Sequence, residues 1–280
     1  MKQSIAICFL LISSLFSYGQ EVNVPENSGD NFSLEGALAI LKKSNSVEEF
    51  ETLLNKEDNN VNNLDLNNDG DIDYISVNDI QEGETHVLVL STFLSETEKQ
   101  DIATIGIEKT GPETVTLQIE GNTDLYPANT IAEPFDTIET SKGGKSGPNL
   151  PQINVNNIIV NVWFWPSIRF IYGPRYVAFR SPYRWATYPI WWKPWHPFRR
   201  SIFYSRCAPN SVFYRRTPAR TVIVAHNIYS TRRNRSTLVI RNRRGGTTIV
   251  RTNKIRPNNA IRSGNSIRVN TGVRGGRRRR

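Results

Sequence analysis

All 26 acidic residues of this chain lie at or before Glu139, whereas only six of its 35 lysines and arginines do. The part up to Glu139 therefore carries −20 and the remainder +29. Such segregation points to a polyanion-binding or internally paired basic region. The boundary falls in Ser141-Lys142-Gly143-Gly144-Lys145-Ser146-Gly147-Pro148, a linker composition. The charge reversal divides the chain into an acidic domain over residues 20–136, a linker over 137–152, and a basic region beyond it.

Residues 1–19 read as a secretory signal peptide. Lys2 is the positive start, Ile5 to Phe16 the short apolar run, and Ser17-Tyr18-Gly19 precedes cleavage before Gln20. The run is shorter than the ~20 residues of a spanning helix. The expected location is therefore exported: periplasmic, envelope-bound or secreted. After cleavage one cysteine remains, Cys207, so no internal disulfide framework is available.

Ser33 caps an expected helix to about Lys43 with Leu34, Ala37, Leu38 and Leu41 on one face. Ser46-Val47-Glu48-Glu49 is a capping box for a second, ending near Glu57. Tyr74 to Val77 and His86 to Leu94 read as strands, with His86 on a strand surface. Ser95-Glu96-Thr97-Glu98 predicts a short helix. Ile102–Lys109 and Thr114–Glu120 then form a hairpin. The expected fold class is α+β: helix, helix, strand, strand, short helix, strand, strand around one core.

Residues 153–214 form an aromatic, proline-rich segment. Ile153 to Phe164 reads as a strand. All six tryptophans lie between Trp163 and Trp195, and the proline density excludes a long helix. Arg169, Arg175, Arg180 and Arg184 interleave with aromatics, which makes cation–π stacking available. Together with Trp191, Trp192, Arg199 and Arg200 they are the candidate polyanion-binding residues. Residues 215–280 read as an Arg-rich, largely disordered low-complexity tail, with Ile255, Ile261, Ile267 and Val273 in a period of six.

One stretch carries specific chemistry. Asp65, Asn67, Asp69 and Asp73 stand at positions one, three, five and nine of a loop, with Gly70 at the turn. Oxygen donors at that spacing wrap a hard cation such as calcium. The stretch resembles calcium loops of the EF-hand and dockerin type. It is closer still to integrin-type FG-GAP loops, whose ion loop leads directly into a strand. It departs from the EF-hand at Ser76, where a bidentate Glu would stand. The resemblance implies side-chain ligands from Asp65, Asn67, Asp69 and Asp73 and a main-chain carbonyl from Asp71, with calcium as cofactor. A polar Asx-rich turn is the plain alternative.

Leu64 to Val77 followed by Trp163 to Trp195 resembles a group of exported envelope proteins of Gram-negative bacteria. The resemblance implies compartment and architecture, not an activity. His86, His196 and His226 are scattered, and no nucleophile-elbow, zinc-protease or phosphate-loop motif occurs. The expected function is non-enzymatic: a calcium-binding domain joined to a basic aromatic segment. That segment would bind an envelope polyanion (lipopolysaccharide or acidic glycan), a membrane surface, nucleic acid in a weaker reading, or its own acidic domain. The alternative is a hydrolase acting on envelope glycans.

Overall fold

A computed structural model describes residues 29–135, 160–241 and 247–249 of the chain. The stretches read as signal peptide, linker and six-residue repeat lie outside the described residues.

Two helices, α1 (Leu34–Lys43) and α2 (Val47–Leu54), precede an antiparallel meander. Its strands are β1 (Ser76–Glu82), β2 (Thr85–Phe93), β3 (Lys99–Gly111), β4 (Thr114–Gly121) and β5 (Ile131–Pro134). The helix starts follow their caps: Ser33 Oγ accepts from Gly36 N at 2.9 Å, and Ser46 Oγ from Glu49 N at 3.1 Å. The α+β class is as the sequence indicates. The short helix after Ser95 is not formed, and residues 94–98 bend directly into β3. Ser95 still accepts from Glu98 N, but the Glu98 carboxylate is taken by Thr237 and cannot close the capping box.

The basic region then enters the same architecture. It supplies α3 (Pro166–Ile171), α4 (Arg200–Cys207), β6 (Tyr214–Thr217) and α5 (Ile223–Ser230), followed by the pair β7 (Val239–Arg241) and β8 (Thr247–Ile249). Residues 160–164 contain no strand. β6 pairs antiparallel with β5, giving a six-stranded sheet in the order β1 to β6. The tail expected to begin at residue 215 is thus ordered structure through Arg241.

One face of the sheet packs on α1, α2 and α3 through a core that joins Leu38, Phe50, Leu88 and Ile105 to Val162, Trp165, Ile168 and Tyr214. The two compositional halves share that core. Each such fully buried side chain contributes ~1.5–3 kcal/mol of transfer free energy. On the opposite face Val222, Ala225 and Tyr229 cover Val87 and Val89. β2 is consequently buried on both faces, which explains its unbroken apolar run.

α5 fits because Gly106 leaves room for it. A Cβ at Gly106 would lie 2.7 Å from Ala225 Cβ and 3.0 Å from Val222 Cγ2. The β1 edge is covered: Phe179 O accepts from Asp79 N and Val77 O from Ser181 N, while β6 extends the sheet past β5 and forms its other edge.

Gly106→Ala is expected to destabilise the protein by ~1–3 kcal/mol through overpacking. Ala225→Gly in the same chain should restore part of that loss, offset by the ~1 kcal/mol cost of a helical glycine. Thermal melts of the three chains check this. A Gly106→Ala melt equal to wild type would show that α5 does not seat there.

Candidate functional site

The acidic loop connects the helical layer to β1. Asp65 Oδ1 and Oδ2 accept from the N–H groups of Asp69 (3.1 Å) and Gly70 (3.0 Å). Asn67 Oδ1 accepts from Asp69 N (2.9 Å), Asp69 Oδ1 from Asp71 N (2.9 Å), and Asp73 Oδ2 from Leu66 N (2.5 Å). Asn68 and Gly70 take positive φ values of 55° and 91°, the left-handed geometry that closes the turn. The five spaced residues are thus gathered in one loop, with the Asp71 side chain directed to His196 Nδ1 at 3.3 Å.

Burial pushes Asp73 well above the usual carboxylate range, and the charges of Asp65 and Asp69 add to it. Asp65 is raised in the same direction, again by burial first. Among the described residues no lysine or arginine pairs with Asp65, Asp69 or Asp73. Nor do three His, Cys, Asp or Glu side chains converge there as a ready metal group. The donor set is all oxygen and includes the Asn67 amide, which suits a hard cation and not a soft one.

The aromatic segment lies against this loop. Ile72 N donates to Trp195 O at 2.9 Å, and His196 Nδ1 donates to Gly70 O at 2.6 Å. Tyr74, at the loop exit, packs on Tyr183, Tyr188 and Trp192 with ring centroids 5.6, 5.6 and 5.2 Å away. Its hydroxyl donates to Glu51, as do Ser181 Oγ and Val77 N. Despite three donors, burial holds the Glu51 carboxyl up at about 7. Glu51 was not singled out from the sequence. Its signal is an acid on the apolar face of α2, four residues after Val47 and three before Leu54.

His86, expected on a strand surface, is fully buried, with Nδ1 2.7 Å from Asp79 Oδ2. The layer formed by Tyr172 and Tyr176 covers it, and Tyr176 donates to the same Asp79 oxygen at 2.8 Å. Asp101 is likewise buried, taking hydrogen bonds from Ser91, Tyr229 and Asn234. It ties α5 and the chain after it to β2 and β3.

The arginines divide into two sets. All eight from Arg200 to Arg235 reach side chains of the acidic half. Arg200 pairs with Asp30, Arg215 with Glu133, Arg216 with Glu35, Arg220 with Glu120, Arg232 with Glu82 and Arg235 with Asp124. Arg206 and Arg233 hydrogen-bond Asn60 and Thr123. Burial alone would raise Glu120, but Arg220 and His226 together hold it below the usual carboxylate range.

Arg169, Arg175, Arg180, Arg184 and Arg199 are exposed, and none of their side chains pairs with an acid among the described residues. Nor, among the described residues, do they make the cation–π contacts that their interleaving suggested. The rings of this segment instead meet Lys42 (Trp165), Lys109 (Trp163 and Tyr172), Arg200 (Tyr204) and Arg206 (Phe198). In this segment these arginines turn toward solvent, and some of the rings, among them Phe164, Phe170 and Trp191, are exposed beside them.

Among the clefts along the segment, one of about 630 Å³ is lined by Arg180, Arg184 and Lys99 with Phe93, Tyr183 and Trp185. Another, of about 760 Å³, brings Trp191 and Trp192 together with Trp195. Arg200, placed with the external set by sequence, is an internal partner of Asp30. No family model, no curated protein and no solved structure matches the chain.

Glu51 gives a pH-dependent signature. A carboxyl whose folded value is about 7, above its usual 4.5, binds more protons folded than unfolded through that interval. Its contribution therefore falls as pH rises from 4.5 to 7 and is then level. Glu51→Gln keeps the size and removes the buried charge. The melting temperature of the variant relative to wild type should rise between pH 5 and pH 8. A difference independent of pH would exclude a buried, titrating Glu51.

Proposed function

We propose that this is a non-enzymatic, exported, envelope-associated protein whose aromatic, arginine-rich face binds an envelope polyanion, lipopolysaccharide or acidic glycan, and whose Asp65–Asp73 loop holds calcium. The observation that carries the first part is the division of the arginines. Ion pairs with the acidic half use six of the eight arginines from Arg200 to Arg235, whereas Arg169, Arg175, Arg180, Arg184 and Arg199 are exposed and meet no acid among the described residues. Arginine forks next to aromatic rings recognise phosphate and carboxylate groups on sugar chains. The apolar run Ile5 to Phe16 supports export. Among the described residues no helix is long and apolar enough to cross a membrane.

Calcium is supported by the oxygen-only donor set and by carboxylates that lack a cationic side-chain partner. Asp65, Asn67, Asp69 and Asp73 would hold the ion with their side chains, and Asp71 with its carbonyl. The ion would supply the counter-charge that these crowded carboxylates lack.

A glycan hydrolase is the second reading. It draws on Glu57 and Asp58, two carboxylates lining the cleft that also holds Trp191, Trp192 and Trp195. Release of reducing sugar from envelope glycan, abolished by Glu57→Gln or by Asp58→Asn, would establish it over the binding role.

Retention on immobilised lipopolysaccharide, acidic glycan and DNA across a salt series tests the polyanion face. Arg180→Glu with Arg184→Glu should bind at least ten-fold more weakly. It should also flatten the slope of log affinity against log salt by about 1.4–1.8, from ~0.7–0.9 per neutralised phosphate. Arg232→Ala, which loses only an internal pair, should keep the wild-type slope. Equal binding by the double variant would end the polyanion reading, and retention on DNA alone would redirect it to nucleic acid.

For the loop, calcium at 100-fold over its dissociation constant should add ~2.7 kcal/mol to stability. Asp69→Ala should lose that response. Identical wild-type melts in calcium and in chelator would refute calcium binding.

A further inference from the structure

The cleft at the end of the aromatic segment is built differently from the rest of the cationic face. Its aromatic wall is fixed from behind. Trp192 is wedged between Tyr188 and Tyr74, with centroids 4.7 and 5.2 Å away, and the Trp195 main chain is tied to Ile72. Trp191 instead presents 46% of its surface to solvent. It is held there by a turn in which Trp192 N donates to Pro189 O at 3.0 Å.

The polar groups of the cleft are also distinctive. The Arg206 guanidinium sits over the Phe198 ring, 4.1 Å from its centroid, a cation–π contact that holds it at the cleft. Lys56 and Lys193 are exposed on the lining and make no ion pair among the described residues. Glu57 and Asp58 add acceptors to the same lining. Buried indole N–H groups normally find an acceptor. Here Trp192 Nε1 and Trp195 Nε1 have none. Both nitrogens are closed off from solvent, so these two indoles serve the cleft as a rigid apolar wall.

We infer that this cleft binds an acidic sugar unit, a uronate or similarly charged pyranose within a glycan. The C–H face of the ring stacks on Trp191. Its carboxylate meets Arg206 and Lys193, and its hydroxyls donate to Glu57 and Asp58. The assignment rests on the polyanion reading above and adds a requirement for sugar that charge alone does not impose. A volume of about 760 Å³ accommodates a short oligosaccharide segment, in the range of small-ligand sites.

The test titrates the full chain with oligogalacturonate, its neutral methyl ester and inorganic polyphosphate, reading tryptophan fluorescence and heat. Oligogalacturonate should bind at least ten-fold more tightly than the ester. Trp191→Ala and Lys193→Glu, both at exposed positions, should each weaken it at least ten-fold. Polyphosphate, held by the exposed arginines, should bind Trp191→Ala as it binds wild type. Variants that bind oligogalacturonate like wild type, or an ester that binds equally, would overturn the acidic-sugar site. Wild type that binds polyphosphate but not oligogalacturonate would overturn it while leaving the polyanion reading intact. If neither binds, both fall.

Discussion

The basic half contains no acid, so each of its arginines either reaches the acidic half or stays without an ionic partner. That constraint organises the molecule. Arg215 and Arg216 follow Tyr214 in β6; the pair with Glu133 ties the strand to β5, and the pair with Glu35 ties it to α1. Arg220 and His226 bracket the start of α5 around Glu120. These pairs are part-buried, and desolvation of both partners offsets much of their mutual attraction. Apolar burial of Val162, Trp165, Ile168 and Tyr214 holds the halves together, and the ion pairs set where they join.

Local signals were legible in proportion to their independence from distant chain. Ser33 and Ser46 cap helices with atoms a few residues away, and β2 to β4 carry apolar runs long enough to declare themselves. Ser95 looked the same, but its partner Glu98 is claimed by Thr237, far along the chain. β5 and β6 are four residues each and have no identity apart from their pairing. α5 was hidden because its apolar residues do not mark one face: Ile223 and Val224 are exposed, whereas Ala225 and Tyr229 become core only against Val87 and Val89.

The candidate site shows the same division. The spacing from Asp65 to Asp73 is a local code, and the structure gathers those residues in one loop. Which arginines face outward could not be read, because Arg199 and Arg200 are neighbours with opposite surroundings: one exposed, the other on Asp30. His86 looked like a surface residue because alternation along a strand does not reveal that Tyr172 and Tyr176 arrive to cover it. Glu51 is understood only once Tyr74, Val77 and Ser181 are seen converging on it.

The pairing of Pro134 with Tyr214 has a consequence in time. A chain synthesised from its N-terminus completes β1 to β5 long before the segments that finish the sheet exist. Until residue 181 has emerged, β1 has no neighbour on its outer side, and until Thr217 has emerged neither has β5. Contacts so distant in sequence slow the final folding step. Open strand edges recruit other chains in the meantime. The acidic half thus waits as a high-charge intermediate whose mutual repulsion keeps copies apart. The arginines that arrive last end that repulsion at the moment the edges close.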